Sequence, residues 1–190
     1  LDAMPARIFR LAGGAVLERG VAVTAEADGV PRFGWADAPA DAAFGHRVRA
    51  LLADAIADAG DHWPQDYVGE VGEQAFAWVR EAAARLRGGA LLLLDYGFPR
   101  HEFYHPQRVT GTLMCHYRHH AHVDPFLLPG LQDVTVHVDF SGVAQAGVDA
   151  GLDLLGYTSQ ARLLLNLGLL ETLARTPLEQ GLAYARQAQS

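Results

Sequence analysis

An unbroken apolar run, Ala90-Leu91-Leu92-Leu93-Leu94, stands between the paired glycines Gly88-Gly89 and the tripeptide Asp95-Tyr96-Gly97. A strand with one wet face alternates apolar and polar side chains. A run without alternation therefore predicts a strand covered on both faces, as in a parallel sheet flanked by helices. The run would deliver Asp95, Tyr96 and Gly97 to the carboxyl end of that strand, where open α/β sheets hold their ligands. Asp95 either faces such a ligand or caps a loop, and the local sequence allows both.

The elements around the run predict the rest of an α/β domain. Ile8 to Leu11, Val21 to Thr24 and Arg32 to Trp35, separated by the turn signals Gly13-Gly14 and Asp28-Gly29, predict an antiparallel meander. From Ala42 to Ala59, Phe44, Val48, Leu51, Leu52, Ala55 and Ile56 recur at helical spacing, with Asp41 placed to cap the start and Gly60 to end it. A second helix is expected from Gly72 to Arg87, burying Ala75, Trp78, Val79, Ala82 and Leu86, with Glu70 and Glu73 near its start and Arg85 and Arg87 in its last turn. Residues Phe98 to Leu131 show no period and read as a long functional insertion. Asp133 to Phe140 alternates strictly, which predicts a strand with Val134, Val136, Val138 and Phe140 on one face and Asp133, Thr135, His137 and Asp139 on the other. That polar face is either solvated or turned toward a site. Ser141 should cap a helix through Ala150, Leu152 to Tyr157 should form a strand, and Ser159 should cap a helix carrying Leu163, Leu164, Leu167, Leu170 and Leu173 that ends near Pro177.

Composition removes several classes of function. A formal charge of −7 with scattered acidic residues gives no footprint for nucleic acid or an anionic membrane, and suits a basic peptide or a small molecule. Cys115 is the sole cysteine, so no intrachain disulfide can form and a packed thiol in a reducing compartment is expected. The apolar runs are too short to span a bilayer, and no signal segment opens the chain, so a soluble protein is expected. His116, His119, His120, His122 and Asp124 are dense enough to suggest a transition metal, yet no standard ligand spacing is met, and hydrogen-bonded loop histidines are the expectation. There is no Gly-x-Ser-x-Gly elbow, and no Gly-x-Gly-x-x-Gly or phosphate loop, so the residues alone assign neither a hydrolase nor a nucleotide site.

Longer stretches resemble one family. Gly89 to Gly97, Glu102-Phe-Tyr-His105-Pro106-Gln107-Arg108, Gly111-Thr112-Leu-Met-Cys-His116-Tyr117, His122-Val-Asp124-Pro125, Pro129-Gly130-Leu-Gln132-Asp133, His137-Val-Asp139-Phe140 and Gly156-Tyr157-Thr158-Ser159-Gln160-Ala161 are similar, in order, to the MidA-type S-adenosylmethionine-dependent methyltransferases. The resemblance runs from Leu1 to Leu173, and Leu1-Asp2-Ala3-Met4-Pro5 matches the end of the family's Asn-Glu-x-x-Asp-Ala-x-Pro motif. The Asn-Glu pair and the family's glycine-rich cofactor loop fall upstream of Leu1. The resemblance therefore implies that residues 1–190 are the C-terminal portion of a single methyltransferase domain: the later strands of a Rossmann-like sheet, with an inserted antiparallel meander and helices.

What the resemblance implies about function is specific. The family methylates an arginine of a respiratory complex I subunit in mitochondria. The implied cofactor is S-adenosyl-L-methionine, the implied partner a protein arginine, and the implied compartment the bacterial cytoplasm, or mitochondria for a eukaryotic source. Methyl transfer to a guanidinium needs carboxylates to hold its planar fork. Asp95, Glu102 and Asp139 are the candidates for orienting it, with Tyr96, His105 and His137 beside them as substrate-binding residues and Asp2 on the cofactor side. Two other readings stay open at this level: a noncatalytic binding or assembly module of the same fold, and a metal-dependent hydrolase built on the histidine cluster.

Overall fold

The computed structural model describes residues 1–25 and 30–175. They fall into two units, Leu1–Leu154 and, within Leu155–Ser190, the described residues 155–175. The predicted Asp28-Gly29 turn and the Pro177 helix end lie outside the described residues.

The first unit is organised around an antiparallel sheet. Strands β1 (Arg7–Ala12), β2 (Ala15–Ala25), β3 (Pro31–Pro39) and β4 (Asp66–Val71) stand in the order β3-β2-β1-β4. Gly13 and Gly14, with φ of 56° and 80°, make the two-residue turn that joins β1 to β2, a conformation that glycine adopts without steric cost. The meander is thus longer than the three short runs suggested. It also gains β4, a strand where the sequence placed only the approach to a helix.

One face of this sheet is the core. Phe9, Val16, Tyr67 and Val71 pack on Phe44, Val48 and Leu52 of helix α1 (Ala42–Ala59). Helix α1 has the predicted bounds: the Asp41 carboxylate accepts from the Phe44 amide at 2.8 Å, and Gly60 ends the helix at φ 51°. Helix α2 (Glu73–Arg85) begins after Gly72 and buries Ala75, Val79 and Ala83. Of the residues expected inside it, Trp78 and Leu86 are instead exposed, because the face that meets α4 (Phe140–Asp149) is centred on Val79. Gly142 makes that close helix packing possible, since a Cβ there would stand 2.4 Å from the Phe76 ring.

Four expectations need correction. Residues 90–94 run without a ladder, and Leu92 is 70% exposed; a strand exists only where a neighbour supplies hydrogen bonds, and none of the described residues pairs with this run. Leu152 to Tyr157 is likewise not a strand. The alternation of Asp133 to Phe140 does not produce one flat strand, because the segment leaves one partner for another. Its first part, β8 (Asp133–Thr135), pairs antiparallel with β6 (Met114–Tyr117), whereas β9 (Val138–Asp139) pairs parallel with β5 (Gly97–Phe98). As a result Val138 and Asp139 are both buried, and Val134 is exposed. Lastly, the cap of α4 is Asp139, not Ser141, its carboxylate accepting from the Gly142 amide at 3.0 Å.

In the second unit Ser159 caps α5 (Gln160–Asn166), accepting from the Arg162 amide at 3.3 Å. The single helix expected here is broken at Gly168, φ 84°, and resumes as α6 (Leu169–Arg175). Among the described residues no helix is long and apolar enough to cross a membrane.

Candidate functional site

Three chain segments meet at the parallel β5–β9 pair. The Tyr96 carbonyl accepts from the Val138 amide at 2.9 Å, and the Asp2 carbonyl accepts from the Val136 amide at 3.0 Å. Asp95 ties the third segment in, accepting from the Leu1 nitrogen, from the Asp2 amide at 3.2 Å and from its neighbour Tyr96 at 2.8 Å. Burial works to raise the Asp95 carboxyl, and the Asp2 and Tyr96 amides work to lower it.

His137 precedes β9 and stands near enough to Asp2, Asp95 and Arg108 to feel their charges. Burial pushes its imidazole below the ordinary value, aided by the Arg108 charge, while hydrogen bonding to Thr112 and the charges of Asp2 and Asp95 pull the other way. Its ring stacks on Phe98 with centroids 5.1 Å apart, and the Arg108 guanidinium covers the same Phe98 ring at 4.4 Å. Asp139 is 4% exposed, and its second oxygen accepts from the Arg100 guanidinium at 3.3 Å. A guanidinium of the chain itself therefore occupies the carboxylate that the sequence offered for substrate.

The remaining candidates stand further out. The Tyr96 ring is exposed, while its carbonyl serves the ladder. Glu102 lies exposed on α3 (Arg100–Phe103) and reaches the cluster only through its carbonyl, which accepts from Arg108 at 3.4 Å. His105 lies exposed in the following turn, its Nδ1 accepting from the Gln107 amide at 3.2 Å.

The histidine-rich segment folds as a hairpin of β6 and β7 (His120–His122), turned at Arg118 and His119, both at positive φ. Strand alternation puts His120 and His122 on the face of Cys115 and His116 on the other, and among the described residues no three metal-ligating side chains converge. Cys115 is fully buried, which pushes its thiol up, and it points away from His116.

The residue that sequence reasoning missed is Glu70 on β4. It is 1% exposed and accepts from the Thr112 amide at 2.8 Å, the Leu113 amide at 3.1 Å and the Thr112 hydroxyl at 3.2 Å. The His137 amide in turn donates to the Thr112 hydroxyl oxygen at 3.0 Å. Glu70 thus fastens the meander to the segment that carries His137. Its sequence signal was a carboxylate inside the apolar run Tyr67-Val-Gly-Glu-Val71, a position that only hydrogen bonds make tolerable.

Residues 1–158 match a family model described as "Putative S-adenosyl-L-methionine-dependent methyltransferase". The chain belongs to this methyltransferase family. Two solved structures from Burkholderia thailandensis are similar to it. One, bound to S-adenosyl-homocysteine, is 47% identical at a TM-score of 0.82 over 95% of this chain. The other, an uncharacterized protein of the same superfamily in its native form, is 46% identical at a TM-score of 0.83 over 99%. The chain spans 43% and 47% of their respective lengths. A comparison with curated proteins finds no match. The mixed α/β architecture is similar to that of the structure solved with S-adenosyl-homocysteine.

Proposed function

We propose that these residues form the substrate side of an S-adenosylmethionine-dependent methyltransferase, within a single domain of which they are the C-terminal portion, and that its acceptor is a protein arginine. The observation that carries this reading is the 47% identity, over nearly the whole of this chain, to a protein crystallised with S-adenosyl-homocysteine. The narrower reading, a respiratory complex I subunit as acceptor in a bacterial cytoplasm or in mitochondria, rests on the resemblance of the sequence stretches.

The cofactor would supply an electrophilic methyl group. Among the described residues, the glycines most closely approached are Gly97, Gly111 and Gly142, and each is filled by the chain's own atoms, from Val138, Glu70 and Phe76. They are packing glycines and do not by themselves make a seat for a nucleotide-like cofactor. What the present residues can do is orient an acceptor. A guanidinium stays protonated at physiological pH, so it needs a carboxylate at hand and an open approach. Of the acidic candidates, Asp139 holds Arg100, and Asp95 pins the strand ends. Glu102 lies exposed on α3, and among the described residues no hydrogen bond or ion pair holds the carboxylate of Asp2, the residue expected on the cofactor side.

Calorimetric titration of the cofactor, followed by mass spectrometry of an arginine peptide, tests the reading. The expected result is a cofactor-dependent gain of one methyl by the peptide in a protein that spans the full length of the relatives. Residues 1–190 on their own should bind cofactor at least roughly 100-fold more weakly. Cofactor binding with no methyl on any arginine peptide would reject arginine as acceptor. Micromolar binding by residues 1–190 would show that the seat lies within them.

Asp139→Asn separates structure from chemistry. Asparagine caps a helix as well as aspartate, so α4 and the thermal midpoint should hold, while the hold on Arg100 weakens. Turnover of the arginine peptide is expected to fall about tenfold. A matching loss of thermal stability would leave Asp139 a purely structural group.

A further inference from the structure

On the face of the meander opposite α1 lies an open groove of about 460 Å³, the size of a small-ligand site. Val21 and Trp35, directly paired across β2 and β3, line it together with Phe126, Val134 and the Asp2–Pro5 stretch. The Trp35 and Phe126 rings meet edge to face, centroids 4.9 Å apart. Val21, Trp35 and Val134 remain substantially exposed.

The charges of the groove are unequal. Arg19 donates to both oxygens of Asp37, at 2.7 and 2.9 Å, and Arg7 to both of Glu18, at 2.8 and 2.7 Å, so neither guanidinium is free. Asp2 differs. Its amide is fixed on Asp95 and its carbonyl on the Val136 amide, so its backbone is pinned, yet no hydrogen bond or ion pair holds its carboxylate. Arg19 shows what the aromatic lining accepts, its guanidinium standing 5.8 Å from the Trp35 ring.

We propose that this groove binds an extended polypeptide segment that presents a cationic side chain to Asp2 and lays its apolar neighbours against Trp35 and Phe126. A purely apolar cover would leave the Asp2 carboxylate buried without a partner, which is costly. A guanidinium satisfies the carboxylate and stacks on an aromatic face at once, and the net charge of −7 favours its approach. As the place where a methyl acceptor is held, the groove rests on the methyltransferase reading; as a binding site it stands on its own geometry.

Titration calorimetry of the full-length protein, without cofactor, with the peptide acetyl-Ala-Phe-Arg-Ala-amide and its citrulline counterpart tests this. The expected result is saturable binding of the arginine peptide, weakened at least about fivefold by citrulline, by Asp2→Asn and by Trp35→Ala, with Trp35→Phe retaining most of it. Circular dichroism checks that the variants fold. Equal affinity for both peptides, unchanged affinity in Asp2→Asn and Trp35→Ala, or no binding at millimolar peptide each overturns the proposal. Methyl transfer to this peptide that survives loss of binding in the variants also overturns it, and leaves the enzyme reading standing. Binding as expected with no methyl transfer supports the groove and rejects that enzyme reading.

Discussion

Glu70→Ala is expected to lower the unfolding free energy by about 3–5 kcal/mol, because it strands buried donors and does not merely remove a contact. The amides of Thr112 and Leu113 and the Thr112 hydroxyl all end on this carboxylate, and the Tyr104 hydroxyl donates to the Glu70 carbonyl at 2.9 Å. Alanine also leaves a hollow beside Gly111, whose Cα lies so close that a Cβ there would stand 2.2 Å from Glu70 Oε1. Glu70→Gln is the sharper variant, since its amide oxygen can keep both backbone donors. Burial raises the Glu70 carboxyl above its ordinary 4.5, against the pull of Thr112, Leu113 and the Arg108 charge. A group that binds its proton more tightly when folded stabilises the fold below its unfolded value and loses that contribution as pH rises through the folded one. The stability of Glu70→Gln relative to the parent should therefore improve as pH rises above the ordinary 4.5. Asp37, held down to about 2 chiefly by the Arg19 hydrogen bond, acts in the opposite sense, but its window lies below its ordinary 3.8, outside that range. Urea unfolding across the range measures the difference. A difference that does not change with pH would show that Glu70 is not perturbed by folding.

The parts of this fold that were legible in the sequence are those whose determinants are local. Helix α1 was readable end to end because its cap Asp41, its apolar stripe and its stop Gly60 lie within one continuous stretch. The Gly13-Gly14 turn was readable because only glycine enters that conformation freely. Strands were harder, since periodicity states which face is apolar and not which neighbour supplies the ladder. Ala90 to Leu94 has the composition of a covered strand, but pairing begins only at Gly97, where Val138 is available. Asp133 to Phe140 has a perfect alternation that its change of partners overrides. At the site, Asp2, Asp95 and His137 were candidates through the resemblance, and their meeting depends on the β5–β9 pairing, which no local pattern states. The occupation of Asp139 by Arg100 was not legible either, because the two are brought together only by the docking of α3. Glu70 escaped notice because acidic residues near a helix start have an ordinary explanation in the helix dipole, which here was the wrong one.

Gly97→Ala tests the junction on which the site depends. A Cβ at this position would lie 2.1 Å from the Val138 carbonyl oxygen and 2.8 Å from the Val138 nitrogen. Both atoms belong to the backbone of the paired strand, so no side-chain rotation can relieve the overlap, and β5 and β9 must separate. Separation breaks the bond from the Val138 amide to the Tyr96 carbonyl and shifts Asp95 and Tyr96 relative to His137 and Asp139. The expected cost is about 3 kcal/mol or more, among the larger effects of a single substitution. Faster hydrogen exchange at the Val138 amide should accompany it. Gly88→Ala is the matched control in the same connection: nothing lies within 4 Å of its added Cβ and its φ is not in the left-handed region, so its effect should stay within about 0.5 kcal/mol. If Gly97→Ala proved no more costly than Gly88→Ala, with the Val138 amide still protected, the two strands would not be in the contact described, and the grouping of Asp95 with His137 would fall with it.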